Sequence, residues 1–222
     1  RFSMKLVSRR TKSELASYLF PAWMMGRDPR MKIIQATHTT ELAVNFGRKT
    51  KNLIDSEEYR EVFPEVKLAA DSKASGRWDT SRGGMYYAVG VGSNLAGRGG
   101  DLVIIDDPHS EQTAMSSSGF DDAWEWYTGG PRQRLQPGGS IVLVQTRWSE
   151  KDMTGRLLQA MARDPLADQW EVVELPAIFE DGAACWPEFW SVDDLIAVRA
   201  SIPVGKWNAQ YQQNPTNEES AI

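Results

Sequence analysis

The residues of this chain best placed to do chemistry begin with Lys12 and Ser13, which follow an expected first strand, Phe2 to Val7, and a polar turn, Ser8-Arg9-Arg10-Thr11. A strand, a tight turn and a helix that opens on Lys-Ser form a setting for phosphate. Backbone N–H groups at the helix start face phosphate oxygens, Lys12 would neutralise the β and γ oxygens of a triphosphate, and the Ser13 hydroxyl would ligate Mg2+. The spacing departs from the G-x-x-x-x-G-K-[ST] consensus, because its two glycines fall on Leu6 and Thr11. A Lys-Ser pair is more often a solvated first turn, so this one gains meaning only from what joins it.

Two further segments join it. Asp101-Leu-Val-Ile-Ile-Asp106-Asp107 is an apolar strand ending in two carboxylates. Asp106 would hold Mg2+ through water, and Asp107 would orient or deprotonate an attacking water. The plain alternative is a buried strand that ends in an Asp-Asp-Pro turn. Ile141 to Gln145 is a second apolar strand, followed by Thr146-Arg147-Trp148. If it lies between the other two, its tip points at the γ-phosphate from the carboxyl edge of the sheet, and Gln145 or Thr146 can sense that phosphate. An ordinary core strand followed by a polar turn accounts for the same residues. Arg9, in the turn, and Arg98, in a Gly-flanked loop, are candidates for stabilising charge in phosphoryl transfer. Arg10 is a solvated neighbour in the same turn. His38 and His109 lack the partners of a metal site or a triad and read as structural.

Positioning these residues requires alternating strands and helices, the pattern of a mainly parallel sheet with helices on both faces. Helices are expected over about 12 to 25 and 39 to 54, around Trp124, Trp126 and Tyr127, and from a Ser149-capped start to about 163. Strands are expected at 32 to 36, 85 to 91, 102 to 105, 141 to 145 and 171 to 175, with 64 to 84 as surface loop and at most a short strand near Trp78. The texture changes after Pro165 to a Trp- and Pro-rich stretch with two short helices. The expected division is therefore a core over 1–165 and a small subdomain over 166–222. Trp124, Trp126, Trp186 and Trp190 read as packing anchors rather than stacking platforms.

Composition narrows the class. Of 222 residues, 41% are hydrophobic and 25% charged, which supports a folded domain rather than a disordered one. The net charge of −5 excludes a chain coated in basic charge, so any DNA contact must come from a local patch or a neighbouring subunit. The single cysteine, Cys185, can make no internal disulfide and no cysteine-based metal site. No apolar run approaches the ~20 residues of a membrane span.

The turn Ser8-Arg-Arg-Thr-Lys-Ser13 with its helical continuation to Trp23, the Ile105-Asp-Asp-Pro-His109 strand end, Thr146-Arg-Trp148 and Trp207-Asn-Ala-Gln-Tyr-Gln-Gln-Asn-Pro215 together resemble the large subunits of tailed-phage terminases. The resemblance covers nearly the whole chain. It implies a RecA-like ASCE P-loop ATPase fold, with ATP and Mg2+ as cofactors and hydrolysis coupled to translocation of double-stranded DNA. It also implies a homo-oligomeric ring on the portal protein of a procapsid in the host cytoplasm, working with the small terminase subunit. Matched by position, Ser8 to Ser13 form the Walker A turn, Lys12 and Ser13 meeting phosphate and Mg2+. Asp106 becomes the Walker B aspartate and Thr146 the coupling-motif residue. Many members carry glutamate where Asp107 stands, and Thr11 replaces a glycine that lets the backbone approach phosphate. The family's nuclease lies on a later domain, so no DNA cleavage is expected from these residues. A nucleotide-binding assembly module with little hydrolysis, or another ASCE helicase or translocase, are the alternative readings; the latter would need paired RecA-like domains or helicase motifs.

Overall fold

The computed structural model describes residues 2–6, 11–72, 74–116 and 118–216, with side chains from Lys12 onward. Seven strands form one sheet: β1 Phe2–Leu6, β2 Lys32–Thr37, β3 Arg77–Asp79, β4 Met85–Gly90, β5 Gly100–Asp106, β6 Leu135–Gln145 and β7 Glu171–Leu175. Their order is β3-β4-β2-β5-β6-β1-β7, parallel except for β3, which runs antiparallel to β4. The strand carrying Gln145 thus lies between the strand that precedes Lys12 and the strand that ends in Asp106. Strands this apolar require cover on both faces, and the period-two alternation shows where each residue goes. Ile33, Leu102, Ile104, Val142 and Val144 pack on one face with Ala16, Met25, Ala43 and Ile54 of the first two long helices. Ile34, Ala36, Val103, Ile105, Ile141 and Leu143 pack on the other with Ala123, Tyr127, Met153 and Leu157.

The helix after β1 is a continuous helical run whose middle is not α. Thr11–Ser13 is α-helical, Glu14–Leu19 is π-helical, and Phe20–Arg27 returns to α. The Phe20 N–H reaches back five residues to the Leu15 carbonyl, and Pro21 follows at once. Proline has no N–H to donate, and its ring crowds the carbonyl four residues back, so a wider turn just ahead of it relieves that clash.

Several expectations need correcting. The helix Met153–Arg163 is capped by Asp152, which accepts from the Gly155 N–H at 2.8 Å, and not by Ser149. Both residue types cap well; Asp152 wins because it also pairs with Arg147. Two further helices, Glu57–Val62 and Glu111–Met115, are each capped by the preceding serine. The largest change concerns the division near 165. β7 pairs with β1 along its whole length, so Glu171–Leu175 belongs to the main sheet and not to an appended unit. A separate apolar cluster of Ala177, Ala184, Leu195 and Trp207 begins only after it, with Trp190 packed alongside and Trp207 stacked on Tyr211 at 4.9 Å. Trp124 and Trp126 pack against the sheet as expected, whereas Trp186 is 46% exposed and stacks on Phe189. Among the described residues, no helix is long and apolar enough to cross a membrane.

Candidate nucleotide site

Three chain segments meet at the carboxyl edge of the sheet. The Lys12 ammonium, only 4% exposed, donates to Asp107 Oδ1 at 2.5 Å and to Thr146 Oγ1 at 2.8 Å. The Thr146 backbone N–H donates to the same carboxylate oxygen at 2.9 Å. A charge-assisted bond of this kind is about twice as strong as a neutral one, so the triangle holds the tips of β5 and β6 against the helix after β1. Asp107 reaches it from a left-handed backbone, φ +43°, with its own N–H bonded to the Val144 carbonyl at 2.8 Å. Aspartate is among the few non-glycine residues that adopt this conformation at modest cost, and such backbone recurs at functional sites.

Asp106 continues the alternation of Leu102 and Ile104 and therefore enters the face covered by the first helix. Its Oδ2 accepts from the Ser17 hydroxyl at 2.7 Å, and Ser17 Oγ in turn accepts from Gln35 Nε2 at 3.1 Å. Burial pushes the Asp106 carboxyl up to about 6, the neighbouring Asp107 charge adds to the rise, and Lys12, Ser17 and Ser13 oppose it. Ser13 and Asp106 thus lie on one side of the molecule, as a shared magnesium site demands. Asp106 Oδ1 is buried and has no hydrogen-bond partner. Among the described residues, no cluster of three His, Cys, Asp or Glu could hold a metal by itself. A magnesium ion fits this donor set all the same, because it commonly takes one or two protein oxygens and fills its remaining positions with phosphate and water.

Other candidates are placed differently. Gln145 is buried, but the alternation of Ile141 and Leu143 carries it to the face opposite Asp106, and neither of its side-chain polar atoms has a partner. Thr146, one residue on, is the one that joins Lys12. Arg98 lies just before β5, at the amino edge of the sheet, where its guanidinium sits over the Tyr87 ring at 3.9 Å. The seven residues of β5 span about 20 Å, so Arg98 cannot reach the site of its own chain. The helix opens at Thr11, one residue earlier than expected. Ser8, Arg9 and Arg10 lie outside the described residues. His109 is structural: its Nε2 accepts the Met153 N–H at 3.1 Å, and burial pulls its pKa down to about 4, which keeps it neutral.

Sequence reasoning missed Ser17, Gln35 and the Arg147–Asp152 pair. Arg147 donates to both oxygens of the fully buried Asp152, at 3.1 and 2.9 Å, and so pins the turn that carries Thr146. A glutamine inside the apolar run Lys32–Thr37, and a serine one turn past Ser13, were the available signals.

A mainly parallel sheet with a lysine heading the helix after one strand, an acidic pair ending the strand two places away, and a hydroxyl following the strand between them defines a RecA-like fold. No protein-family model matches the sequence, and no curated protein matches it. Solved structures do. The ATPase domain of the Thermus phage P74-26 large terminase superposes with a TM-score of 0.59 at 16% identity, over 97% of this chain and 88% of that one. The bacteriophage HK97 large terminase gives 0.58 at 12% identity, over 97% of this chain and 46% of that one. A large terminase from a thermophilic bacteriophage, in complex with ATP-gamma-S, gives 0.50 at 10% identity, over 93% and 45%. The fold is that of the ATPase domains of phage large terminases, and this chain spans about half of the longer ones.

Proposed function

We propose that this chain is a magnesium-dependent ATPase that powers the translocation of double-stranded viral DNA into a procapsid. The observation that carries the reading is the convergence of Lys12, Asp107 and Thr146, from three separate segments, beside the buried Asp106. Lys12 donates to Asp107 and to Thr146. Binding of ATP would give Lys12 phosphate oxygens instead, releasing Asp107 to orient a water on the γ-phosphate and leaving Thr146 to register that the contact has changed. The turn Ser8-Arg9-Arg10-Thr11 is assigned to the phosphates as a Walker A loop. Ser13 and Asp106 would hold Mg2+, which would neutralise charge on the triphosphate.

Since Arg98 is remote from its own site, it serves best as a stabilising charge for the triphosphate of the next subunit in a ring, with Arg9 in the phosphate turn as the residue acting in its own subunit. Lys12→Ala subunits mixed with Arg98→Ala subunits are then expected to recover part of the lost phosphate release, because the mixed ring contains interfaces with both groups intact. Rings shown to assemble without any recovery would remove Arg98 from that role. The proposed partners are double-stranded DNA, the portal protein and the small terminase subunit, at the procapsid portal in the host cytoplasm.

The Lys12–Asp107 pair also favours a second reading, an assembly module that binds ATP and leaves Asp107 engaged. Binding and turnover measured separately decide between them. With Asp107→Asn, phosphate release is expected to fall roughly 10²-fold or more while nucleotide affinity stays close to that of the wild type. Release unchanged by the substitution would show that Asp107 does not act on the water; binding without release in the wild type would select the assembly module.

A further inference from the structure

Beneath the triangle lies a second set of polar groups that phosphate binding does not use. Ser17 and Gln35 are both fully buried, in an otherwise apolar layer between the first helix and the sheet. Burying a hydroxyl and a carboxamide is costly unless they are bonded, and here the bonds run one way, Gln35 Nε2 to Ser17 Oγ at 3.1 Å and Ser17 Oγ to Asp106 Oδ2 at 2.7 Å, while Gln35 Oε1 has no partner. Because Gln35 donates to the Ser17 oxygen, the hydroxyl proton is committed to Asp106. The π-helical turn Glu14–Leu19 contains Ser17, and Gln35 stands beside Ile104 in the register of β2 and β5, one side-chain step below Asp106. One carboxylate oxygen is thereby fixed and the other, Oδ1, is left without a protein partner.

We infer that Ser17 and Gln35 are positioning residues, which hold Asp106 in the one orientation that offers Oδ1 to the hydrated magnesium of the bound nucleotide. The inference rests on the ATPase reading and deepens it: the set of groups that prepares the metal site extends one helical turn and one strand beyond the residues that touch the nucleotide.

The test is the magnesium dependence of nucleotide binding by the full chain, read with a fluorescent ATP analogue titrated in EDTA and at rising Mg2+. In Ser17→Ala, the Mg2+ concentration for half-maximal enhancement of binding is expected to rise about tenfold, the order of a lost hydrogen bond to a charged group, while affinity in EDTA is unchanged. Ser17→Thr, which keeps the hydroxyl, is expected to return the midpoint towards the wild-type value. Gln35→Leu should move it in the same direction by less. If Ser17→Ala does not fold, Gln35→Leu carries the comparison by the same criterion. An unchanged midpoint in a folded variant overturns the inference, and so does an equal loss of affinity with and without Mg2+, which would mark a purely structural role. Wild-type protein that binds no nucleotide would overturn the ATPase reading itself; wild-type binding with an indifferent Ser17→Ala would overturn only the positioning role.

Discussion

Replacing Lys12 with alanine is expected to leave a folded protein whose rate of phosphate release is reduced about 10²- to 10³-fold, the loss typical of removing one preorganised charge from a phosphoryl-transfer or oxyanion site. The fold should survive because the Lys12 segment is also held by the apolar contacts of Ala16, Ala22 and Met25 beneath the sheet. The loss should appear in nucleotide affinity as well as in turnover, since a lysine on the β and γ oxygens acts on bound substrate and on the transition state. Phosphate release and equilibrium binding, compared on the same preparation, check both parts. A variant that turns over ATP like the wild type would mean that the buried ammonium is no more than the counter-charge of Asp107.

The largest effect on stability is expected at Asp152. Its carboxylate is fully buried and accepts from the Arg147 guanidinium and from the N–H groups of Trp148, Ser149 and Gly155. In Asp152→Ala the Arg147 charge, also buried, stays behind with only the Ser149 carbonyl among its former partners, and the helix Met153–Arg163 loses its cap. Breaking a buried ion pair from one side costs about 3–5 kcal/mol, and a lost cap about 1 kcal/mol. For a chain of this size the unfolding midpoint should fall by roughly 10 °C or more. Arg147→Met should cost less, because Asp152 would keep its three backbone donors. Thermal unfolding of the two variants side by side tests this asymmetry; equal losses would show that the pair, and not the uncompensated arginine, sets the cost. The turn concerned also carries Thr146, so a loosened Arg147 should weaken the hydrogen bond between Thr146 and Lys12.

Much of the site is written in residue order. An apolar run that ends in two carboxylates, a Lys-Ser pair at a helix start and a third apolar run that ends in Gln-Thr each point to the carboxyl end of a strand, and parallel strands place those ends along one edge. Which strands are neighbours is another matter. Pairing is a tertiary property, and nothing local in Glu171–Leu175 shows that it docks beside β1 and not in an appended unit. The same holds for Arg98, which is close to Asp106 in sequence and far from it in space, because an intervening extended strand converts eight positions into most of the sheet's height. Ser17 escaped notice for a third reason. A serine inside a helix is ordinarily neutral, and its meaning arises only from the carboxylate that the alternation of β5 sends to the same face.

The left-handed backbone at Asp107 bears on the choice of acid there. The terminase resemblance implies a glutamate in many members, and a longer side chain has greater reach. Yet a short polar side chain tolerates this region of conformational space far better than a longer one, and this shape of the chain is what turns the carboxylate back across β6. Aspartate here belongs together with its bend: the chain itself carries the short carboxylate to Lys12 and Thr146, a reach that a longer acid would make with an extra methylene.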